Sequence, residues 1–196
     1  MYHDDFILPP LRVGDTLPEL EFDSFYRGEE KKLSLKDYEG KWKIFFFYPA
    51  DFTFVCPTEL EELAELYPEF QKEGAEIFSV STDTVFVHKA WKDHSEAISK
   101  VEYPMVADPN GELSKLFGVY QYDKGLALRG TFLVDPNDKL VAMEIHDESI
   151  GRSGKELLRK LRAAKFVYEH GDKVCPASWE PGKDTLEPGM DLVGEI

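Results

Sequence analysis

The sequence predicts one α/β domain, a central mixed β-sheet with helices on its faces, over residues 1–173, and an extended tail over 174–196. Three observations predict it. An uninterrupted apolar run ends at a proline, a stretch of helical period follows, and a second apolar run comes after a glycine. The chain has 196 residues, 42% hydrophobic and 13% aromatic, which is globular composition and enough for a core without disulfide staples.

Each element has a local reason. Residues 1–40 are mixed and turn-rich, with Pro9-Pro10, Gly14-Asp15, Arg27-Gly28 and Glu39-Gly40 around short apolar stretches at 20–22 and 33–35. The run from Lys43 to Tyr48, ended by Pro49, suits a central strand covered on both faces. From Pro57, Leu60, Leu63, Ala64, Tyr67 and Phe70 share one face of a helix, with glutamates between them. Pro68 inside that span predicts a kink or an early end, and Gly74 a C-terminal stop. A second strand over 76–81 completes a strand–helix–strand unit, which favours parallel pairing. Residues 84–99 read as a further helix with Val87, Ala90, Trp91, Ala97 and Ile98 facing the core. Asp108-Pro109-Asn110-Gly111 reads as a turn before a short helix at 113–117. Residues 131–134 and 140–145 flank Asp135-Pro136-Asn137-Asp138 as a hairpin. A basic amphipathic helix follows at 153–168, and three prolines and three glycines make 174–196 an extended tail.

Charge excludes several functions. With 23 Lys and Arg against 38 Asp and Glu, the net charge of −15 repels phosphate backbones, so no nucleic-acid partner is expected. No apolar run reaches the ~18 residues of a membrane helix. Met1–Phe6 shows neither the basic nor the apolar region of an export signal. The expected location is the cytoplasm, with no membrane partner.

The chemistry centres on two cysteines. Cys56 and Cys175 lie 119 residues apart, which fits neither a zinc knuckle nor a Cys-x-x-Cys redox pair. Both stand between valine and proline, and by themselves they read equally as inert buried thiols or as reactive ones. Position separates them. Cys56 falls where the apolar strand has ended and the helix begins, with Pro57, Thr58 and Glu59 suited to the first turn. Unpaired N–H groups and the positive helix end favour a thiolate there. Glu59, Glu61 and Glu62 oppose it, so a cation must come from elsewhere in the chain. Of the six arginines, Arg129 fits best, because it immediately precedes the apolar strand at 131–134. Upstream, Pro49-Ala50-Asp51-Phe52-Thr53-Phe54-Val55-Cys56 packs a proline, a hydroxyl and a thiol into one strand-to-helix loop. Taken singly, Pro49 is a strand terminator, Thr53 a cap and Arg129 a surface arginine. Together they suggest a pocket with one nucleophile and one hydroxyl donor.

That combination resembles the peroxiredoxin motif Pro-x-x-x-Thr/Ser-x-x-Cys at every defining position. The likeness extends over nearly the whole chain, through Arg129, Gly151-Arg152, Val174-Cys175-Pro176 and Asp191-Leu192-Val193-Gly194. It is strongest to typical two-cysteine peroxiredoxins of the alkyl hydroperoxide reductase C type. The resemblance implies a thioredoxin-like fold and a thiol-dependent peroxidase. It implies Cys56 as the peroxidatic cysteine, Thr53 as hydrogen-bond partner of thiolate and peroxide, and Pro49 as a shield. Arg129 would hold the thiolate and polarise the peroxide, with Glu59 and Arg152 orienting it. Cys175 would resolve the sulfenic acid, in the family from the partner subunit. The partners implied are a peroxide substrate, a disulfide reductase (a flavoprotein or a thioredoxin-like carrier) and a homodimer assembled as a decamer of five dimers. No cofactor and no metal are implied.

Two consequences follow from the chemistry. Lowering a thiol from ~8.5 to about 6 gains roughly 30-fold in thiolate but loses much of that in nucleophilicity, so a fast peroxidase needs donors at the leaving oxygen. Overoxidation-sensitive relatives also carry a Gly-Gly-Leu-Gly insertion and a C-terminal Tyr-Phe helix. Here residues 84–108 hold no glycine and the sequence ends at Ile196, so resistance to sulfinic-acid formation is expected. Competing readings are weaker. A thioredoxin-type thiol–disulfide oxidoreductase needs a cysteine where Glu59 stands, and a papain-like hydrolase needs a histidine base. His3, His88, His94, His146 and His170 read instead as surface or packing residues. A chaperone-like ring assembly is the non-enzyme alternative.

Overall fold

The computed structural model describes residues 9–195. The chain divides into two compact units, one up to Arg152 and one from Ser153 onward. His3 and the start of the chain lie outside the described residues.

The first unit is built on a seven-stranded sheet. Its strands are β1 (Glu21–Tyr26), β2 (Glu29–Ser34), β3 (Trp42–Phe47), β4 (Ala75–Ser81), β5 (Met105–Ala107), β8 (Arg129–Val134) and β9 (Leu140–His146), in spatial order β2-β1-β5-β4-β3-β8-β9. A separate two-stranded ribbon pairs β6 (Tyr120–Gln121) with β7 (Leu126–Ala127). The sheet is mixed, as expected: β3 runs parallel to β4, and β4 to β5, whereas β8 lies antiparallel to β3. Every residue of β3 and β4 is buried, which is what continuous apolar strands covered on both faces require.

Alternation along β3 divides the core. Phe45 and Phe47 point to the face that carries Phe78, Val80, Phe117, Phe132 and Val134, with Phe45 stacked on Phe78 and Phe47 edge-on to Phe132. Ile44 and Phe46 point the other way. Helix α1 (Cys56–Lys72) packs against β4 and buries Leu60, Leu63, Tyr67 and Phe70. The remaining helices of this unit are α2 (Val85–His94), α3 (Glu96–Ser99) and α4 (Glu112–Leu116).

Three expectations are corrected. Of the kink or early end expected at Pro68, the early end does not occur: helix α1 runs through the proline to Lys72. The proline removes one backbone bond, but burial of Tyr67 and the fully buried Phe70 holds the last turn, and Gly74 at φ 78 follows it. The expected single helix at 84–99 is two, broken at the extended Ser95, whose hydroxyl caps α3 through the Ile98 N–H. Its buried residues are Val85, His88, Trp91 and Ile98, while Val87, Ala90 and Ala97 are half-buried. The stretch before residue 40 is also more regular than its composition suggests. Strands β1 and β2 form a hairpin whose turn, Arg27-Gly28, has positive φ at both residues, the geometry that matches strand twist.

The second unit consists of α5 (Gly154–Glu169) and the segment after it. Among its described residues that segment contains no strand or α-helix, yet it is not loose. Val174 bridges Leu186, and the buried Trp179 ring meets Phe166 of α5 at 4.9 Å. Arg159 grips Glu156 with two nitrogens at 2.8 Å each and donates to the Trp179 carbonyl at 2.9 Å.

Candidate active site

Cys56 is the first residue of α1 and is fully buried. Two side chains converge on its sulfur. The Thr53 Oγ1 hydroxyl lies 2.9 Å from Sγ and 2.8 Å from the Ala50 carbonyl oxygen. Arg129 Nη1 lies 3.2 Å from Sγ and 2.8 Å from Glu59 Oε2. The expected backbone donors are not among the sulfur's partners. The N–H groups of Thr58 and Glu59 both return to the Val55 carbonyl, at 3.0 and 3.3 Å, so these two are already paired within the turn. The donors seen on the sulfur are the Thr53 and Arg129 side chains.

The cation is held in place by ionic hydrogen bonds. Glu59, 3% exposed, also accepts from Arg152 through its backbone N–H at 2.8 Å, Nε at 3.0 Å and Nη2 at 3.1 Å. Arg152 reaches on to the Gly130 carbonyl and the Thr131 hydroxyl, and its guanidinium lies 3.4 Å over the Phe46 ring. Burial draws the Arg152 pKa below the usual arginine value, while hydrogen bonding and attraction to Glu59 oppose it. Two guanidinium groups against one carboxylate leave a net positive charge beside the sulfur. Arg129 Nε meanwhile donates to the Glu148 carbonyl at 2.7 Å, which fixes the plane of the fork.

The structure therefore brings Cys56, Thr53, Arg129, Glu59 and Arg152 together. Pro49 is buried at the end of β3 in the same loop and shares no hydrogen bond with the sulfur. Cys175 belongs to the second unit, half-buried, its Sγ 3.8 Å from the Ala163 carbonyl; both cysteines are free thiols. Burial pushes the Cys175 thiol up, and Arg159 pulls it back in part. Sequence reasoning missed the Glu148 carbonyl, which no side-chain pattern marks. It also missed Asp51 and His88, which meet at 2.7 Å in full burial. The one signal for His88 was its place on the Val85–His88–Trp91 helical face.

Chemically, a buried sulfur that faces one hydroxyl and one guanidinium, at the strand-to-helix turn of a mixed sheet, is a site for cysteine-based oxidation and reduction. The comparisons with known proteins agree with that class. Residues 13–143 match the family model described as AhpC/TSA family. Over 184 residues the chain is 52% identical to alkyl hydroperoxide reductase C of Salmonella typhimurium, covering 94% of this chain and 98% of that one. The crystal structure of Enterococcus faecalis AhpC superimposes with a TM-score of 0.81 at 51% identity, covering 84% and 98% of the two chains. The reduced 2-Cys peroxiredoxin of Plasmodium vivax does so with 0.87 at 30% identity, covering 93% and 96%. The chain belongs to the AhpC/TSA family: it is a peroxiredoxin, a thiol-dependent peroxidase with a thioredoxin-like fold. Thioredoxin-type disulfide exchange is not favoured. Among the described residues no helix is long and apolar enough to cross a membrane.

Proposed function

We propose that Cys56 is the peroxidatic nucleophile and that it reduces hydrogen peroxide and small organic hydroperoxides. The thiolate attacks the terminal peroxide oxygen, forming an S–O bond as the O–O bond breaks. The leaving hydroxide or alkoxide takes a proton and departs as water or alcohol. Thr53 and Arg129 position the peroxide and stabilise charge on the departing oxygen, Glu59 and Arg152 hold Arg129, and Pro49 shields the sulfur. The observation that carries this reading is the convergence of Thr53 Oγ1 and Arg129 Nη1 on one sulfur, at 2.9 and 3.2 Å. Peroxide consumption by Cys56→Ser beside wild type tests it: activity should vanish, and undiminished turnover would overturn the assignment.

Cys175 then attacks the sulfenic sulfur, water leaves, and a disulfide forms. An external dithiol donor, a flavoprotein reductase or a thioredoxin-like carrier, supplies the two electrons that restore both thiols. Disulfide geometry requires Cα atoms within ~7 Å. Because Cys56 has no exposed surface, the first turn of α1 must open before any second sulfur reaches it. The working unit in this reading is a cytoplasmic homodimer, five of which form a decamer, with Cys175 coming from the partner subunit. A non-reducing gel after one equivalent of peroxide tests the pairing. It should show a dimer-sized band that Cys175→Ser abolishes; a disulfide confined to the monomer would overturn the intersubunit assignment.

A further inference from the structure

The loop that carries Thr53 is held from behind by a buried polar network outside the peroxidase machinery. Tyr48, at the end of β3, donates its hydroxyl to Asp51 Oδ1 at 2.6 Å. The other carboxyl oxygen, Oδ2, meets His88 Nδ1 at 2.7 Å, and His88 Nε2 meets the Val106 carbonyl at 3.0 Å. Tyr48 and His88 are 0% exposed and Asp51 is 6%. These contacts fix the protonation pattern. A carbonyl only accepts, so Nε2 carries a hydrogen, and one further proton lies between Nδ1 and the carboxyl group. Whichever partner holds that proton, the pair is neutral and every polar atom in it is satisfied. The groups facing His88 are Asp51 from the loop, with Tyr48 behind it, Asp83 from the β4–α2 connection, and the Val106 carbonyl of β5. Burial lowers the His88 pKa, but Asp51, the Val106 carbonyl and Asp83 together hold it above the ordinary histidine value.

A second contact joins this network to the sulfur. The Asp51 N–H donates to Asp83 Oδ2 at 2.8 Å, and the same carboxyl oxygen accepts from Ser81 Oγ at 2.7 Å. That N–H shares a planar peptide with the Ala50 carbonyl, so tying down one end aims the other. The Ala50 carbonyl lies 2.8 Å from Thr53 Oγ1, which lies 2.9 Å from Cys56 Sγ. The hydroxyl has one hydrogen and two acceptors, so the place of the carbonyl decides how Thr53 meets the sulfur. Between Asp51 and Thr53, Phe52 holds φ 57, a left-handed conformation that a bulky residue keeps only where its neighbours over-determine it.

We propose that Tyr48, Asp51 and His88 are positioning residues for peroxide reduction, orienting the Ala50–Asp51 peptide and through it the Thr53 hydroxyl at the Cys56 sulfur. The inference rests on the role given to Thr53 above. Its test compares two rates on each reduced variant: reduction of hydrogen peroxide, which needs the placed hydroxyl, and alkylation by iodoacetamide, which needs the sulfur alone. His88→Leu should lower the peroxide-to-alkylation ratio about 10- to 100-fold, as expected for misplacing a group near the reacting atoms. Tyr48→Phe, which deletes one hydroxyl and spares the packing, should lower it about fivefold, the equivalent of one ordinary hydrogen bond. His88→Asn, whose amide nitrogen takes the place of Nδ1, should recover most of the His88→Leu loss. Thr53→Val is the reference arm. If it lowers the ratio while Tyr48→Phe and His88→Leu leave it unchanged, the positioning inference is wrong. An unchanged ratio in Thr53→Val itself removes the Thr53 role and the inference with it. Should His88→Leu fail to fold, Tyr48→Phe alone decides.

Discussion

Replacing Arg129 by alanine separates two explanations of how the guanidinium helps. Its Nη1 stands 3.2 Å from Cys56 Sγ. Between full charges at that distance, an effective dielectric of about 20 gives an attraction of about 5 kcal/mol. If that attraction served ionisation alone, the loss could not exceed roughly 30-fold, the factor by which an ordinary thiol of pKa ~8.5 falls short of full ionisation near pH 7. Such a loss would vanish near pH ~9.5, where an ordinary thiol is about nine-tenths ionised. If Arg129 also stabilises charge on the departing oxygen, the loss resembles that of an oxyanion-hole donor, ~10²–10³ in rate, and persists at any pH. The fold should survive, because Glu59 keeps three hydrogen bonds from Arg152 and its carboxylate is not orphaned. The assay is a stopped-flow peroxide reaction on reduced wild type and Arg129→Ala from neutral to about pH 9.5. The account predicts a residual deficit of about 100-fold at the alkaline end; complete recovery there would refute it.

Three further outcomes are expected. Burial raises the Glu76 pKa, against hydrogen bonds from Tyr67 and Ile77, so the folded state binds more protons than the unfolded chain just above the usual carboxylate range and loses stability as pH rises through it. Both of those bonds go to Oε1, which Glu76→Gln preserves, so thermal melts should show the variant gaining on wild type as pH rises from acid to neutral. A gap that stays constant would contradict this. Because burial pushes Cys175 up, disulfide formation after a peroxide pulse should accelerate with pH beyond the range of an ordinary thiol, as measured by rapid acid quench. A plateau near neutrality would speak against Cys175 as the attacking thiol. Finally, with no glycine between residues 84 and 108, Cys56 should resist conversion to sulfinic acid, and stoichiometric sulfinylation at low peroxide, seen by mass spectrometry, would remove that expectation.

Much of the fold was legible because single-segment patterns encode it. The apolar run of β3, the 3.6-residue period of α1 and the second run of β4 each carry their own signal. The edge hairpin was less legible: β1 and β2 carry charged outward residues, and only short apolar stretches and the Arg27-Gly28 turn announced them. The break at Ser95 depends on a local cap competing with helix continuation, which the apolar pattern does not record. At the site, Cys56 and Thr53 are three residues apart and Arg129 was marked by its strand. The anchoring of Arg129 by Glu59 and Arg152, which joins residues 93 apart, has no local signal and was legible only through the family resemblance. The pairing of Asp51 with His88 was not legible: two residues of unremarkable context become partners only through the packing of α2.

The most direct measurement of the central claim is chemical trapping. Reduced Cys175→Ser protein, given one equivalent of hydrogen peroxide in the presence of dimedone, should acquire one adduct, on the peptide that carries Cys56. Replacing Cys56 as well should abolish both the adduct and the peroxide consumption. Peroxide consumed at an undiminished rate with no adduct on that peptide would place the reacting atom elsewhere and contradict the account.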